Sequence, residues 1–255
     1  MGLLEGRRAL ITGAGRGIGR AIAEQFYLHG ANVAITDVRA ERAQDAASAI
    51  RDKSRANRVV AHGMDVTDQT DVIRVFGEVA DELGPVDTLV NNAALLITHE
   101  ITDFPLEDFR AVFRVNMEGT FICSQIAVNH MLERQITGCI LNVASASARK
   151  ADRKHAAYSS SKAAIIEFAR VLALEVGAQG IRVNSLLPGA TETEMLTEVF
   201  DTVEGIREDI IGKTVLGRLG QPSDQANAAV FLCSDMASHI TGEYLVVSGG
   251  EFFNA

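Results

Sequence analysis

Ser145, Tyr158 and Lys162 are the residues whose types and spacing could do chemistry. Tyr158 and Lys162 are four positions apart in a run that reads as helix from about Ala156 to Val176, so they share one face. Ser145 lies 13 residues before Tyr158, just past an apolar run, Cys139 to Val143, that reads as a strand. A free phenol titrates near pH ~10, too high for a base at neutral pH. A nearby ammonium stabilises the phenolate and lowers that value. Tyr158 could then take a proton from an alcohol, or return it in reverse. Ser145 could hydrogen-bond the same oxygen. Tyr-x-x-x-Lys alone is common among ordinary helix-surface pairs, so its weight depends on what surrounds it.

A second chemical feature sits near the start. Residues 12–19 read Thr12-Gly13-Ala14-Gly15-Arg16-Gly17-Ile18-Gly19, directly after one short apolar run and opening a helical one. Glycines let a backbone turn tightly beside an anion, and a helix N-terminus offers free N–H groups and the positive end of its dipole. A pyrophosphate fits such a place. The Lys-Ser/Thr ending of an NTPase phosphate loop is missing, which argues against phosphoryl transfer. Asp37, 18 residues past Gly19, ends the next apolar run. An acid there can accept from the adenosine ribose hydroxyls and would repel a 2′-phosphate, favouring NAD over NADP. Arg16 and Arg39 are nearby cations that soften this preference.

These residues need a scaffold, and the periodicity supplies one. Strands are expected at Ala9–Ile11, Asn32–Thr36, Arg58–His62, Val86–Val90, Cys139–Val143, Ile181–Leu186 and Tyr244–Val247. Helices are expected near Ile18–Leu28, Glu41–Arg55, Val72–Leu83, Leu106–Leu132, Ala156–Val176 and Ser223–Leu232. Strands alternating with helices predict an α/β fold, a doubly wound parallel β-sheet of about seven strands, Rossmann-like, with helices on both faces. No Pro/Gly/Ser-rich linker divides residues 1–255, so a single domain is expected. The stretch from Thr193 to Gly220 fits the alternation least well and is expected to be a flap over the substrate.

Composition narrows the classes. Apolar residues make up 47% of the chain, enough for a sizeable core, and the formal charge of −9 disfavours a nucleic-acid partner. The three cysteines, Cys123, Cys139 and Cys233, show neither a CxxC pair nor a ligand spacing, so free thiols and no metal site are expected. The first residues lack a signal-peptide pattern, Gly6 stands where a myristoylation motif wants Ser or Thr, and no apolar run is long enough to span a membrane. A cytoplasmic protein with no membrane partner is the expectation.

With those motifs in view, nearly the whole chain resembles the short-chain dehydrogenase/reductase family. Beyond the glycine turn and the Ser145, Tyr158 and Lys162 set, the family's Asn-Asn-Ala-Gly motif is met by Asn91-Asn92-Ala93, with Ala94 in place of the glycine. Its helix asparagine matches Asn116, its nicotinamide-side loop matches Pro188-Gly189 followed by Thr193, and Gly249-Gly250 fits near the C-terminus. The resemblance implies that Tyr158 is the acid/base and that Lys162 tunes it and holds the nicotinamide ribose. It implies that Ser145 positions the substrate oxygen and that Asn116 supports a water-mediated proton relay. Gly13, Arg16, Gly17, Ile18, Gly19, Asp37, Asp65, Val66, Asn92, Ala93, Tyr158, Lys162, Pro188, Gly189, Thr191 and Thr193 would then contact the cofactor, expected to be NAD. Ala94 adds one methyl near the cofactor and removes no chemistry. The resemblance also implies a homodimer or homotetramer built on the two long helices and the C-terminal segment.

The substrate is less legible. Between Ser145 and Tyr158, Arg149, Lys150, Arg153, Lys154 and His155 place four cations and a histidine within seven residues. Arg149, Arg153 or His155 could bind an anionic group on the substrate, or the segment could be a solvated basic loop. Ser147, Arg153, His155 and Met195 are the candidate substrate contacts. The expected activity is NAD(H)-dependent interconversion of a secondary alcohol (a polyol, sugar or cyclic diol) and its ketone. A dehydrogenase of an anionic cyclic dihydrodiol or hydroxy acid is one alternative. A non-catalytic dinucleotide-sensing protein is another, because fold alone does not prove activity.

Overall fold

Period-two alternation along each strand decides the architecture. Val33 and Ile35 of β2 (Asn32–Asp37) turn their side chains into one core layer, and Ala34 between them turns into the other. β1 (Arg8–Ile11) repeats this, with Ala9 and Ile11 on one side and Leu10 on the opposite side. Strands apolar on both faces must be covered on both faces, which suits a parallel sheet. A computed structural model describes residues 2–53, 56–194, 196–197 and 205–252.

The remaining strands are β3 (Val59–Gly63), β4 (Thr88–Asn91), β5 (Gly138–Val143), β6 (Ile181–Pro188) and β7 (Tyr244–Val247). All seven pair in parallel in the order β3-β2-β1-β4-β5-β6-β7. α1 (Gly17–Leu28), α2 (Ala40–Arg51) and the late helix Pro222–Cys233 cover one face, where Ile22, Phe26, Ile50 and Val230 are buried. α3 (Gln69–Leu83), α4 (Leu106–Phe113), α5 (Gly119–Glu133) and α6 (Ala156–Val176) lie on the other side, and Val72, Phe76, Cys123, Met131 and Ala169 are buried there. Each fully buried Ile or Phe stabilises the fold by about 1.5–3 kcal/mol relative to exposure. The doubly wound parallel sheet expected from the sequence is therefore the architecture observed.

Three details differ from the sequence pattern. The long helix expected over Leu106–Leu132 runs on to Glu133 but contains a π-helical turn at Arg114–Glu118, between α4 and α5. A short helix, α7 (Ile206–Gly212), forms within the expected flap, so the late helix Pro222–Cys233 is α8. α2 ends at Arg51 rather than Arg55, with residues 54 and 55 outside the described set. Among the described residues, no helix is long and apolar enough to cross a membrane.

The strand order reverses between β1 and β4. β2 and β3 lie to one side of β1, and β4 to β7 run away on the other. At such a switch point the connections leave in opposite directions and open a crevice beyond the strands' carboxyl ends. Thr12, after β1, and Asn92, after β4, meet there.

Candidate active site

The glycine turn is laced to the end of β4. The Thr12 hydroxyl oxygen accepts from the backbone N–H groups of Asn92 and Ala93, both at 3.0 Å. The Asn92 side-chain amide donates back to the carbonyls of Thr12 and Gly13, both at 2.9 Å. This close approach explains two glycines. A Cβ on Gly19 would lie 2.3 Å from Asn92 Nδ2, and one on Gly13 would lie 2.7 Å from Ala93 Cα. Gly13 also has φ of +60°, a left-handed conformation costly for other residues. α1 starts from Arg16 with no side-chain cap and no acid in its first turn, so its leading N–H groups face the crevice without a side-chain partner. That combination fits a dinucleotide pyrophosphate.

Asp37, 7% exposed at the end of β2, accepts from Gly15 N at 3.3 Å and from Arg39 N at 3.0 Å. Those bonds fix the carboxylate and leave further lone pairs for ribose hydroxyls. Arg16 is half-buried as the residue before α1, and Arg39 is exposed as the residue before α2. Val66 is buried against Gly119, whose Cβ would come within 2.7 Å of Val66 Cγ2. Asp65 is exposed, and its carboxylate accepts from the Thr67 amide and hydroxyl. Across the crevice, Thr193 stands over the glycine turn, its Cγ2 3.5 Å from where a Gly17 Cβ would be. Thr191 is buried and is held by Gln225, whose amide nitrogen donates to it at 3.1 Å.

Ser145, Tyr158 and Lys162 come together beyond the ends of β5 and α6's first turns. Ser145 is nearly buried, and its hydroxyl oxygen accepts from Ser147 N at 3.1 Å. Tyr158 shares a hydrogen bond with Ser145. Lys162 is 2% exposed, its Nζ 5.8 Å from the centre of the Tyr158 ring. The trio expected from sequence is therefore one cluster.

Its electrostatics differ from the sequence expectation. The Lys162 amine donates to the Val143 carbonyl at 2.7 Å. Burial is the dominant influence on both groups, because a charged form loses hydration in an apolar surround. Burial lifts the Tyr158 phenol, and the Ser145 hydrogen bond only partly offsets that. Burial also brings Lys162 down to about 7. The ammonium expected to acidify the phenol is thus held on the Val143 carbonyl, with burial the main influence on both groups.

Asn116, fully buried in the π turn, braces the site. Its Oδ1 accepts from Leu95 N at 2.7 Å, and its Nδ2 donates to Leu95 O at 3.1 Å and to Ser161 Oγ at 3.0 Å. Ser161 in turn donates to the Tyr158 carbonyl at 2.8 Å. The asparagine thus ties the strand leaving β4 to the turn of α6 that carries the tyrosine. Ser161 lies beside Lys162 and three places past Tyr158, a spacing that sequence inspection could have noticed.

The candidate substrate contacts separate. Arg153 points away, its side chain 89% exposed and its guanidinium 3.5 Å from Glu100. Lys154 also leans toward Glu100, and the Arg149 guanidinium lies over the Tyr244 ring at 5.8 Å. His155 is half-buried, its ring 6.0 Å from that of Tyr158. The Ser147 hydroxyl donates to Asp152 at 2.8 Å. Met195 lies outside the described residues. Sequence reasoning missed Glu251, which accepts from Lys150 Nζ at 2.8 Å and from Ala190 N at 3.2 Å; a contact 101 residues apart leaves no local signal. Gln225, which positions Thr191, was missed for the same reason. Among the described residues, no group of three His, Cys, Asp or Glu side chains could hold a metal ion.

Comparison with known proteins adds context to this geometry. Residues 13–251 match a family model described as enoyl-(acyl carrier protein) reductase. The chain is 36% identical to the 2,5-dichloro-2,5-cyclohexadiene-1,4-diol dehydrogenase of Sphingobium indicum, covering 97% of each. It is 36% identical to the meso-2,3-butanediol dehydrogenase of Serratia marcescens, over 94% of this chain and 92% of that one. Among solved structures it resembles a 7α-hydroxysteroid dehydrogenase complexed with NADH and 7-oxo glycochenodeoxycholic acid. That match has a TM-score of 0.91 and 37% identity, and covers 97% of this chain and 94% of the other.

Proposed function

Because the chain belongs to the short-chain dehydrogenase/reductase family, we propose that it interconverts a secondary alcohol and its ketone using NAD(H), with Tyr158 as general acid/base. The observation that carries this is the clustering of Ser145, Tyr158 and buried Lys162 beyond the end of β5, with the Lys162 amine held on the Val143 carbonyl and 5.8 Å from the Tyr158 ring. Two hydroxyls converging on one point suit a carbonyl or alcohol oxygen better than a carbon–carbon double bond. The polyol, sugar and cyclic diol classes remain the leading substrates, and two relatives are named for diols.

The residues present fit a nicotinamide dinucleotide. The two glycines that no Cβ could replace and the uncapped start of α1 suit its pyrophosphate, and Asp37 suits an unphosphorylated ribose. When bound, the nicotinamide supplies or accepts the hydride. The protein handles the proton. Tyr158, neutral and hydrogen-bonded to Ser145, is ready to donate to the oxygen of a ketone. In the oxidative direction it must take a proton, and a charged Lys162 is the neighbour that would offset the phenolate's charge. Ser145 holds the substrate oxygen, Asn92 keeps the glycine turn in shape, and Asn116 fixes the turn of α6 beneath Tyr158. Pro188, Gly189, Thr191 and Thr193 would border the nicotinamide, and Ile18, Asp65, Val66 and Ala93 the rest of the dinucleotide.

We read the chain as one domain; part of the flap expected over residues 193–220 lies outside the described residues, and its described stretch 205–220 would close over the substrate. Exposed Phe109 and Phe121, on α4 and α5, and Leu174 on α6 would pack against a second copy in a dimer or tetramer. An anionic diol or hydroxy acid is the second reading, favoured by His155 beside the phenol. The deciding experiment is NADH production from polyols, sugars, cyclic diols and hydroxy acids with NAD and with NADP, for the wild type and for Tyr158→Phe. Turnover in the wild type and a loss of roughly 10²–10⁴-fold in the variant are expected. NADH binding without turnover on every substrate would replace the enzyme with a dinucleotide sensor.

A further inference from the structure

The two loops flanking the reaction centre are joined by a chain of polar contacts through the C-terminal segment. Gly249 and Gly250 both have positive φ, +63° and +82°, and turn the chain after β7 back toward the sheet's carboxyl end. The Glu251 N–H donates to Ser248 O at 3.2 Å, which holds that turn. Glu251 therefore points inward, its side chain only 9% exposed. One of its oxygens accepts from Ala190 N, in the loop after β6, at 3.2 Å. The other accepts from Lys150 Nζ, in the turn after Ser145, at 2.8 Å. Lys150 also lies 3.4 Å from Asp152, which accepts from the Ser147 hydroxyl, and Ser147 N donates to Ser145 Oγ. From Ala190 to Ser145, every link is a hydrogen bond or an ion pair.

We propose that Glu251 and Lys150 are positioning residues, a strut that fixes the loop after β6 at a set distance from the Ser145 turn. The proposal depends on the activity proposed above only in supposing that these two loops flank the reacting atoms. A misplacement of about 1 Å in such a constellation can cost on the order of 10²-fold in rate, so a part-buried ionic tie at that point has functional weight. The charges agree with the geometry. Burial works against the Lys150 ammonium, but Glu251 and Asp152 outweigh it and raise its affinity for a proton. His155, Ser147 and Lys150 together hold the Asp152 carboxyl well below its usual range.

Amide hydrogen exchange on the full chain tests the strut without requiring a substrate. Glu251→Ala removes the acceptor of the Ala190 amide and should speed its exchange whatever the wider role of the pair. Lys150→Met touches nothing on Ala190. Transmission through the strut predicts about tenfold faster exchange at Ala190 in Lys150→Met as well. Amides of β1 and β2 should be unchanged, and the exchanged pair Lys150→Glu with Glu251→Lys should recover part of the protection. Wild-type exchange at Ala190 in Lys150→Met would overturn the proposal, and so would equal acceleration throughout the sheet. Titration of the same proteins with NADH separates the two ideas. Failure of the wild type to bind NADH would count against the cofactor assignment and leave the exchange result to stand. With binding intact, NADH should slow exchange at residues 146–152 in the wild type and much less in Lys150→Met.

Discussion

Replacing Lys162 with methionine should stabilise the protein most at low pH, and the size follows from burial. The amine is 2% exposed and its pKa is brought down to about 7, whereas in an unfolded chain it titrates near ~10.4. Below the folded value, the unfolded state holds its proton without penalty and the native state must carry a desolvated charge. Stability is therefore lowest there and rises with pH until the unfolded value is passed. From about pH 6 to about pH 9, the penalty of the wild type shrinks by roughly 2–3 kcal/mol, while methionine carries no such slope. For a chain of this size that corresponds to a change of about 5–10 °C in the gap between the two melting temperatures. Methionine also orphans the Val143 carbonyl, which now receives Nζ at 2.7 Å, a cost of about 1–3 kcal/mol that does not depend on pH. The slope, and not the offset, carries the test. Urea or thermal unfolding of both proteins by circular dichroism across that pH range would measure it, and parallel stability curves would refute the claim that burial depresses this amine.

Gly19→Ala would place a methyl 2.3 Å from Asn92 Nδ2. It should cost about 1–3 kcal/mol of stability, and NADH fluorescence titration should show binding weakened at least tenfold. Asp37→Ser removes the buried carboxylate proposed to face the ribose. The ratio of kcat/KM for NAD over NADP should fall by at least tenfold, and an unchanged ratio would take cofactor choice away from this residue. Asn116→Ala leaves both backbone groups of Leu95 and the Ser161 hydroxyl short of partners. About 2–4 kcal/mol of destabilisation is expected in a denaturant melt, together with a fall in kcat that exceeds any change in NADH affinity.

Much of this was legible because its signals are local. The run Asn32 to Thr36 is short and apolar on both faces, so it could belong only inside a covered sheet, and β2 lies there. Thr12 to Gly19 carried strand, turn and helix start within eight residues, and the structure builds all three. The four-residue step from Tyr158 to Lys162 guaranteed a shared face once α6 formed. Other features depend on segments far apart. The π turn at Arg114–Glu118 is invisible to a 3.6-residue period, yet it is where Asn116 reaches Leu95 and Ser161. Arg153 looked available for a substrate anion because a charge count says nothing of direction; the fold sends it outward toward Glu100, two helices earlier in sequence. Glu251 follows the Gly249-Gly250 match but carried no chemical signal of its own, and acquires a role only when those glycines fold it back.

The charge state of the site was the least legible property, because burial belongs to no residue alone. Sequence placed an ammonium near a phenol and implied an acidic tyrosine. In the fold, Tyr158 is lifted and Lys162 lowered by the same apolar surround. These shifts oppose ionisation of either group on its own, and an opposite charge on the other would offset part of that cost. Under the proposed mechanism, a charged Lys162 would offset the phenolate formed at Tyr158 when a substrate oxygen needs its proton removed. The Ser145 hydrogen bond biases that step, because it already pulls the phenol down against burial. Removing it with Ser145→Ala should raise the apparent pKa of alcohol oxidation as well as slow it, whereas a purely steric role for Ser145 would slow the reaction and leave the pH profile in place.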